Sequence, residues 1–157
     1  MITFEDIVVR ILLILFLSGV IGLEREHLKK PAGIRTNILV GLGSTLVMIL
    51  SIHMGQLYPM WNIDPGRIAG QVVTGIGFLG AGAILRDKAG IHGLTTAASI
   101  WVVSALGLAV GMGFYSGALI TAFFTLVALY VVGRIEGKLE HSEENIKRGA
   151  ANSKPND

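Results

Sequence analysis

The chain has no cysteine. That excludes disulfide frameworks, thiolate metal sites and cysteine nucleophiles. Charge is also scarce: Asp, Glu, Lys and Arg make up 15% of 157 residues, with a formal net charge of +2. A soluble domain of this size needs more charge to cover its surface. The charges are clustered as well. No Asp or Glu lies between Glu26 and Asp64, and no Asp, Glu, Lys or Arg lies between Lys88 and Arg134. A bilayer imposes such gaps, because a charge at its centre costs at least about 2.5–3.5 kcal/mol. Basic residues gather in connections instead of forming a stripe. They read as topology signals, and no nucleic-acid partner is expected.

What is abundant is apolar sequence: 52% hydrophobic residues with a mean hydropathy of +0.64. Five apolar stretches stand out, at 7–23, 38–58, 68–85, 94–110 and 114–132. Each approaches the about 17–25 residues that span hydrocarbon as a helix. β-barrel strands would be shorter and would alternate polar with apolar residues. The expected fold is therefore all-α: a polytopic membrane protein of about five transmembrane helices. The first helix is expected to stay in the protein. Glu5 and Asp6 replace a basic leader, and no small-residue cleavage site follows the apolar run.

The connections set the expected orientation. Arg25, His27, Lys29, Lys30 and Arg35 surround the first, and Arg86 and Lys88 mark the third. Arg134, Lys138, Lys147 and Arg148 lie in the tail. Positive residues favour the cytoplasm, which puts the N-terminus outside and the C-terminus inside. Residues 1–133 are read as the transmembrane domain. Residues 134–157 are read as a short cytoplasmic helical tail, with Glu143/Lys147 and Glu144/Arg148 at i,i+4, ending in disorder from Gly149. No internal repeat suggests an inverted-repeat transporter.

Glycine is frequent, with 21 residues. The densest run is Gly75-Ile76-Gly77-Phe78-Leu79-Gly80-Ala81-Gly82. It contains a G-x-G-x-x-G, but it lacks the preceding strand and the acidic residue about 20 positions on that dinucleotide binding requires. Helix packing accounts for it better, since small residues four apart let backbones approach in lipid. Ser18/Gly22, Gly77/Ala81, Gly107/Gly111 and Gly113/Gly117 fit that spacing. The expected packing set is Gly22, Gly75, Gly77, Gly80, Gly82, Gly107 and Gly111.

Polar residues concentrate at helix ends. On the cytoplasmic side stand Glu24, Arg25, Arg35, Thr36, Arg86, Thr95 and Thr96. A carboxylate at such an interface needs a partner, and Arg35 or Arg86 could supply one to Glu24. The bland alternative leaves these charges among headgroups. Thr95 and Thr96 are read first as caps for the helix they open. Arg86 with Asp87 is expected to end the third helix. On the outer side, Asp64-Pro65 reads as a helix start, with Arg67 and Gln71 one turn apart on one face. His92 has no second ligand at metal spacing and reads as a loop residue. No cofactor is expected, and no metal ligand set can be assigned.

The motifs together are specific. Gly-Leu-Glu-Arg at 22–25, Ala-Gly-Ile-Arg-Thr at 32–36, Gly-Arg-Ile-Ala at 66–69, the glycine run at 75–82 and Gly-Leu-Thr-Thr-Ala-Ala-Ser-Ile-Trp at 93–101 occur in register. Over about residues 5–133 the chain resembles the MgtC/SapB family of bacterial membrane proteins. That resemblance implies a bacterial inner-membrane protein tied to growth in low magnesium and, in pathogens, to survival inside macrophages. It implies regulation of membrane machines, notably the proton-translocating ATP synthase, beside the label of magnesium transporter. The enteric members carry Asn where this chain has Thr95, and a soluble C-terminal domain after the membrane part.

Three functions are open to such a chain. A non-catalytic regulator would dock on partner helices through small-residue faces. An ion pathway, a transporter or channel for magnesium or another cation, would for magnesium want one or two carboxylates plus waters, and at membrane depth only Glu24 is on offer, so an oligomer would have to gather copies of it into a ring. An enzyme would need a nucleophile with a base, and no His or paired carboxylates lie at that depth. The expectation is the regulator: no enzyme, embedded in lipid, forming a homo-oligomer with a dimer favoured, and open to a membrane-protein partner.

Overall fold

In a computed structural model, the structure describes residues 2–61, 63–87 and 90–133. The elements are α1 (Phe4–His27), α2 (Ile34–Leu57), a short 3-10 turn (Pro59–Trp61), α3 (Pro65–Gly82), strands β1 (Leu85–Asp87) and β2 (Gly90–His92), α4 (Leu94–Met112) and α5 (Tyr115–Val127). A π-helical turn over Ala128–Val132 follows α5. Among the described residues, every regular element apart from the β1–β2 hairpin is helical. Residues 1–125 form one compact unit, and the described residues from Leu126 onward belong to a second. The expected tail helix and disordered end, 134–157, lie outside the described residues.

Local chemistry explains the boundaries. Thr3 opens α1 with a capping box: its hydroxyl accepts from Asp6 N at 3.2 Å, and the Asp6 carboxylate accepts from Thr3 N at 2.9 Å. Asp64 caps α3 by accepting from Gly66 N at 2.8 Å, with Pro65 at the first helical position, as the sequence suggests. Gly113 closes α4 at φ +90°, a conformation that favours glycine, and the chain turns directly into α5. Arg86 and Asp87 do not end the third helix. α3 stops at Gly82, and both residues lie in β1, with Arg86 opposite Ile91. Glycines weaken the helix end, and Gly90 and Gly93 take positive φ at either end of β2. His92 belongs to β2 rather than to a loop.

α1, α2 and α4 are long and apolar enough to cross a membrane. α3 falls short of that hydropathy because Arg67, Gln71 and Thr74 interrupt it, and α5 is an apolar helix of shorter length. The chain is thus a helical membrane protein.

α2 is central and packs against α1 and α4, with α3 set against α2 and α4. Contacts between α2 and α4 climb together, Ser44 to Ser104, then Thr45 to Gly107, then Met48 to Gly111, so the two helices run parallel. Ile14, Ile21, Ile100, Val103, Leu106 and Val110 form the apolar core.

Candidate functional site: a closed helix seam and an open glycine face

The α2–α4 contact is unusually close. A Cβ built on Gly107 would lie 2.6 Å from the Gly41 carbonyl oxygen and 2.7 Å from Ser44 Cβ. One on Gly111 would lie 2.7 Å from both Thr45 O and Met48 Cβ. Hydrogen bonds line the same seam. The Ser44 and Ser104 hydroxyls meet at 3.0 Å, and Thr45 Oγ1 donates to Gly107 O at 2.9 Å. Ser18, buried on α1, donates back to Ile14 O and faces Gly41. Burying hydroxyls in a membrane bundle is tolerable only when each is bonded, and these are. The seam has no room for an ion between α2 and α4.

Gly22 has the same role where α1 meets the start of α2. Its Cβ would fall 2.6 Å from Ile34 Cα. Gly22, Gly107 and Gly111 therefore pack as expected. Gly75, Gly77 and Gly82 do not. Among the described residues nothing outside the helix's own backbone lies within 4 Å of a Cβ at any of them, and Gly80 only grazes Ala97 at 3.8 Å. Within the unit formed by residues 1–125, no described helix stands opposite that face. Along α3 only Ile76 is buried. Arg67, Gln71, Thr74, Phe78 and Ala81, at i, i+4, i+7, i+11 and i+14, form an exposed row on the side away from Ile76. Phe78 is 83% exposed. Gly113 and Gly117 are also not a packing pair: Gly113 makes the α4–α5 turn, and Gly117 lies under its neighbour Phe114.

The polar cluster at the other predicted site is rearranged. Glu24 pairs with Arg25, its neighbour in sequence, and not with Arg35 or Arg86. Arg25 Nε reaches Glu24 Oε2 at 2.5 Å, and Nη2 reaches Oε1 at 2.9 Å, so both carboxylate oxygens are engaged. Arg25 is 2% exposed, whereas Arg35 and Arg86 are at the surface and Thr36 is half-buried. Long side chains at the surface reach water or headgroups more cheaply than they reach inward. Thr95 and Thr96 are not caps. Gly93 is the N-cap of α4, with no side chain to offer, and Thr95 is exposed while Thr96 is buried in the second and third helical positions.

Sequence reasoning passed over three residues here. Glu26 takes the role of the missing cap on α2: its carboxylate accepts from Ile34 N at 2.9 Å, because the N-cap Gly33 cannot. A glycine N-cap beside an acidic helix end was the available signal. Asn37 is fully buried and donates to Ala32 O and Gly33 O at 3.0 and 2.8 Å, tying down the α1–α2 connection. Arg10, a charge inside the first apolar stretch, donates to Gly111 O at 2.6 Å and touches the Tyr115 hydroxyl at 3.4 Å. It ties α1 to the end of α4, where the carbonyls attract a cation.

Two polar atoms remain costly. Arg25 Nη1 and Asn37 Oδ1 are buried without a hydrogen-bond partner among the described residues. Each such group costs about 1–3 kcal/mol. Among the described residues no three His, Asp or Glu side chains come together as a metal site.

A family model described as the MgtC family matches residues 11–138. A protein of Escherichia coli K12 named "Putative magnesium transporter YhiD" is 39% identical over 145 residues, 90% of this chain and 67% of that protein. Protein SapB of Bacillus subtilis is 40% identical over 128 residues, 79% of this chain and 55% of that protein. Protein MgtC of Salmonella typhimurium is 37% identical over 121 residues, 77% of this chain and 50% of that protein. The chain thus spans half to about two thirds of the relatives' lengths. No solved structure matches.

Proposed function

The chain belongs to the MgtC family, and from that premise we propose that it serves magnesium homeostasis as a non-catalytic regulator, docking on other membrane helices in a bacterial inner membrane. All five helices cross the bilayer in this reading, the N-terminus outside and the C-terminus in the cytoplasm. The distribution of Arg and Lys between connections supports that orientation. The magnesium role draws on the name given to YhiD.

The observation that carries the docking role is the contrast between the two glycine-rich surfaces. The α2–α4 seam is closed to less than the width of a methyl group, while among the described residues nothing packs against Gly75, Gly77 and Gly82 on α3. Glycines in a membrane helix let a second helix approach closely. A face that combines them with Arg67 and Gln71 is poorly suited to lipid.

An oligomeric ion path is the second reading, favoured by the transporter name of YhiD. It relies on Glu24 as the carboxylate at membrane depth. Both oxygens of Glu24 are held by Arg25. A ring of such carboxylates would first have to break that pair, leaving a buried guanidinium uncompensated.

Growth of a strain lacking its own copy, at limiting magnesium, tests the docking role. The wild-type chain should restore growth. Gly77→Leu has free space in the folded chain, so it should insert at wild-type levels yet fail to restore growth. Full restoration by Gly77→Leu would sink the docking reading.

A further inference from the structure

We propose, building on the docking role above, that the partner of the α3 face is α3 of a second copy, the two helices running parallel about a two-fold axis along the membrane normal. The face is self-complementary in charge. Asp64 and Arg67 are one turn apart at its start, both exposed, and among the described residues they form no ion pair. One oxygen of Asp64 is occupied in capping Gly66 N, which leaves the other for a partner. Helical side chains lean toward the N-terminus, so Arg67 of one copy extends toward the level of Asp64 in the other. A symmetric pair therefore makes two such contacts, as a two-fold interface requires.

The face is self-complementary in shape as well. Phe78 projects between hollows at Gly75 and Gly82 on one flank and at Gly77 and Ala81 on the other. Around a two-fold axis each Phe78 faces the partner's hollows at its own height. Gln71 lies between the charged end and the Phe78 knob. Its amide both donates and accepts, so two copies can bond to each other across the axis. Lipid offers Gln71 neither partner, and an unrelated helix would have to match a charge pair, an amide and a knob in register.

The cysteine-free sequence makes the test clean. Single cysteines go into the full chain in native membranes, at Thr74 and Ala81 on the face and at Val73 and Leu79 on its flanks. All four positions are exposed. Mild oxidation should give disulfide-linked dimer from Thr74→Cys and Ala81→Cys, whose Cα atoms would approach their mates to about 4.4–6.8 Å, and little from the flanks. In the Thr74→Cys background, Asp64→Arg and Arg67→Asp should each cut dimer yield about tenfold by placing like charges together. Combining the two should restore it. Equal yield from face and flanks, or no dimer from the face, overturns the proposal. So does a double charge swap that stays as weak as the singles. If Gly77→Leu still abolishes growth while no face position links to its mate, docking stands and its partner is another protein.

Discussion

Gly107→Ala is expected to destabilise the chain by about 1–3 kcal/mol, the range for forcing an extra methyl into a packed core. The new Cβ would meet the Gly41 carbonyl at 2.6 Å. That atom is backbone and cannot swing aside, so α2 and α4 must separate. Separation stretches the Thr45 bond to Gly107 O and the Ser44–Ser104 bond, each buried. Thermal unfolding in detergent micelles reads the loss directly. Gly77→Ala is the matched control, because nothing lies within 4 Å of its Cβ. A micelle-dispersed monomer should tolerate it, or gain up to about 1 kcal/mol of helix propensity. If Gly107→Ala unfolds no earlier than Gly77→Ala, the closed seam is wrong.

Arg10→Met should cost about 1.5–3 kcal/mol, the worth of a hydrogen bond to a charged group. The change keeps an unbranched side chain of similar length and removes the donors. It frees Gly111 O at the C-terminal end of α4, where the chain turns into α5. Tyr115→Phe should cost much less, since its contact with Arg10 is long at 3.4 Å. The two changes should be less than additive, because Tyr115→Phe loses nothing further once Arg10 is gone. Unfolding of both singles and the double in one detergent gives the coupling. A neutral Arg10→Met would leave α1 and α4 held by apolar packing alone.

The helices were legible because a bilayer writes itself into sequence as long uncharged runs, and Asp64-Pro65 marks the start of α3 by residue type alone. The roles of the glycines were not. Gly107 and Gly77 both have a small residue four positions on, yet one touches a neighbouring backbone and the other touches nothing. What separates them is the helix opposite, a tertiary fact that local spacing does not encode. The densest glycine run meets almost nothing among the described residues. Charge pairing failed for a similar reason. Arg35 and Arg86 are on the right side in the linear order, but both side chains lie at the surface, while Arg25 turns inward and takes Glu24 itself. The cap of α4 was not legible because Thr95 and Thr96 fit the capping composition, whereas the chain places Gly93 at the cap position; α2, for which composition offers no cap, borrows Glu26 from α1. Arg10 could have been found: a lone charge inside an apolar run needs a partner.

Ion flux tests the central claim, that this chain regulates by docking and does not conduct. Purified full-length protein goes into liposomes that hold a magnesium-sensitive dye, beside Glu24→Gln and protein-free controls, with magnesium added outside. Dye response at the protein-free rate, from protein shown to be folded and inserted, is the result the closed seam and the engaged Glu24 predict. Magnesium entry well above that rate, lost in Glu24→Gln, would contradict it and make the oligomeric ion path the function.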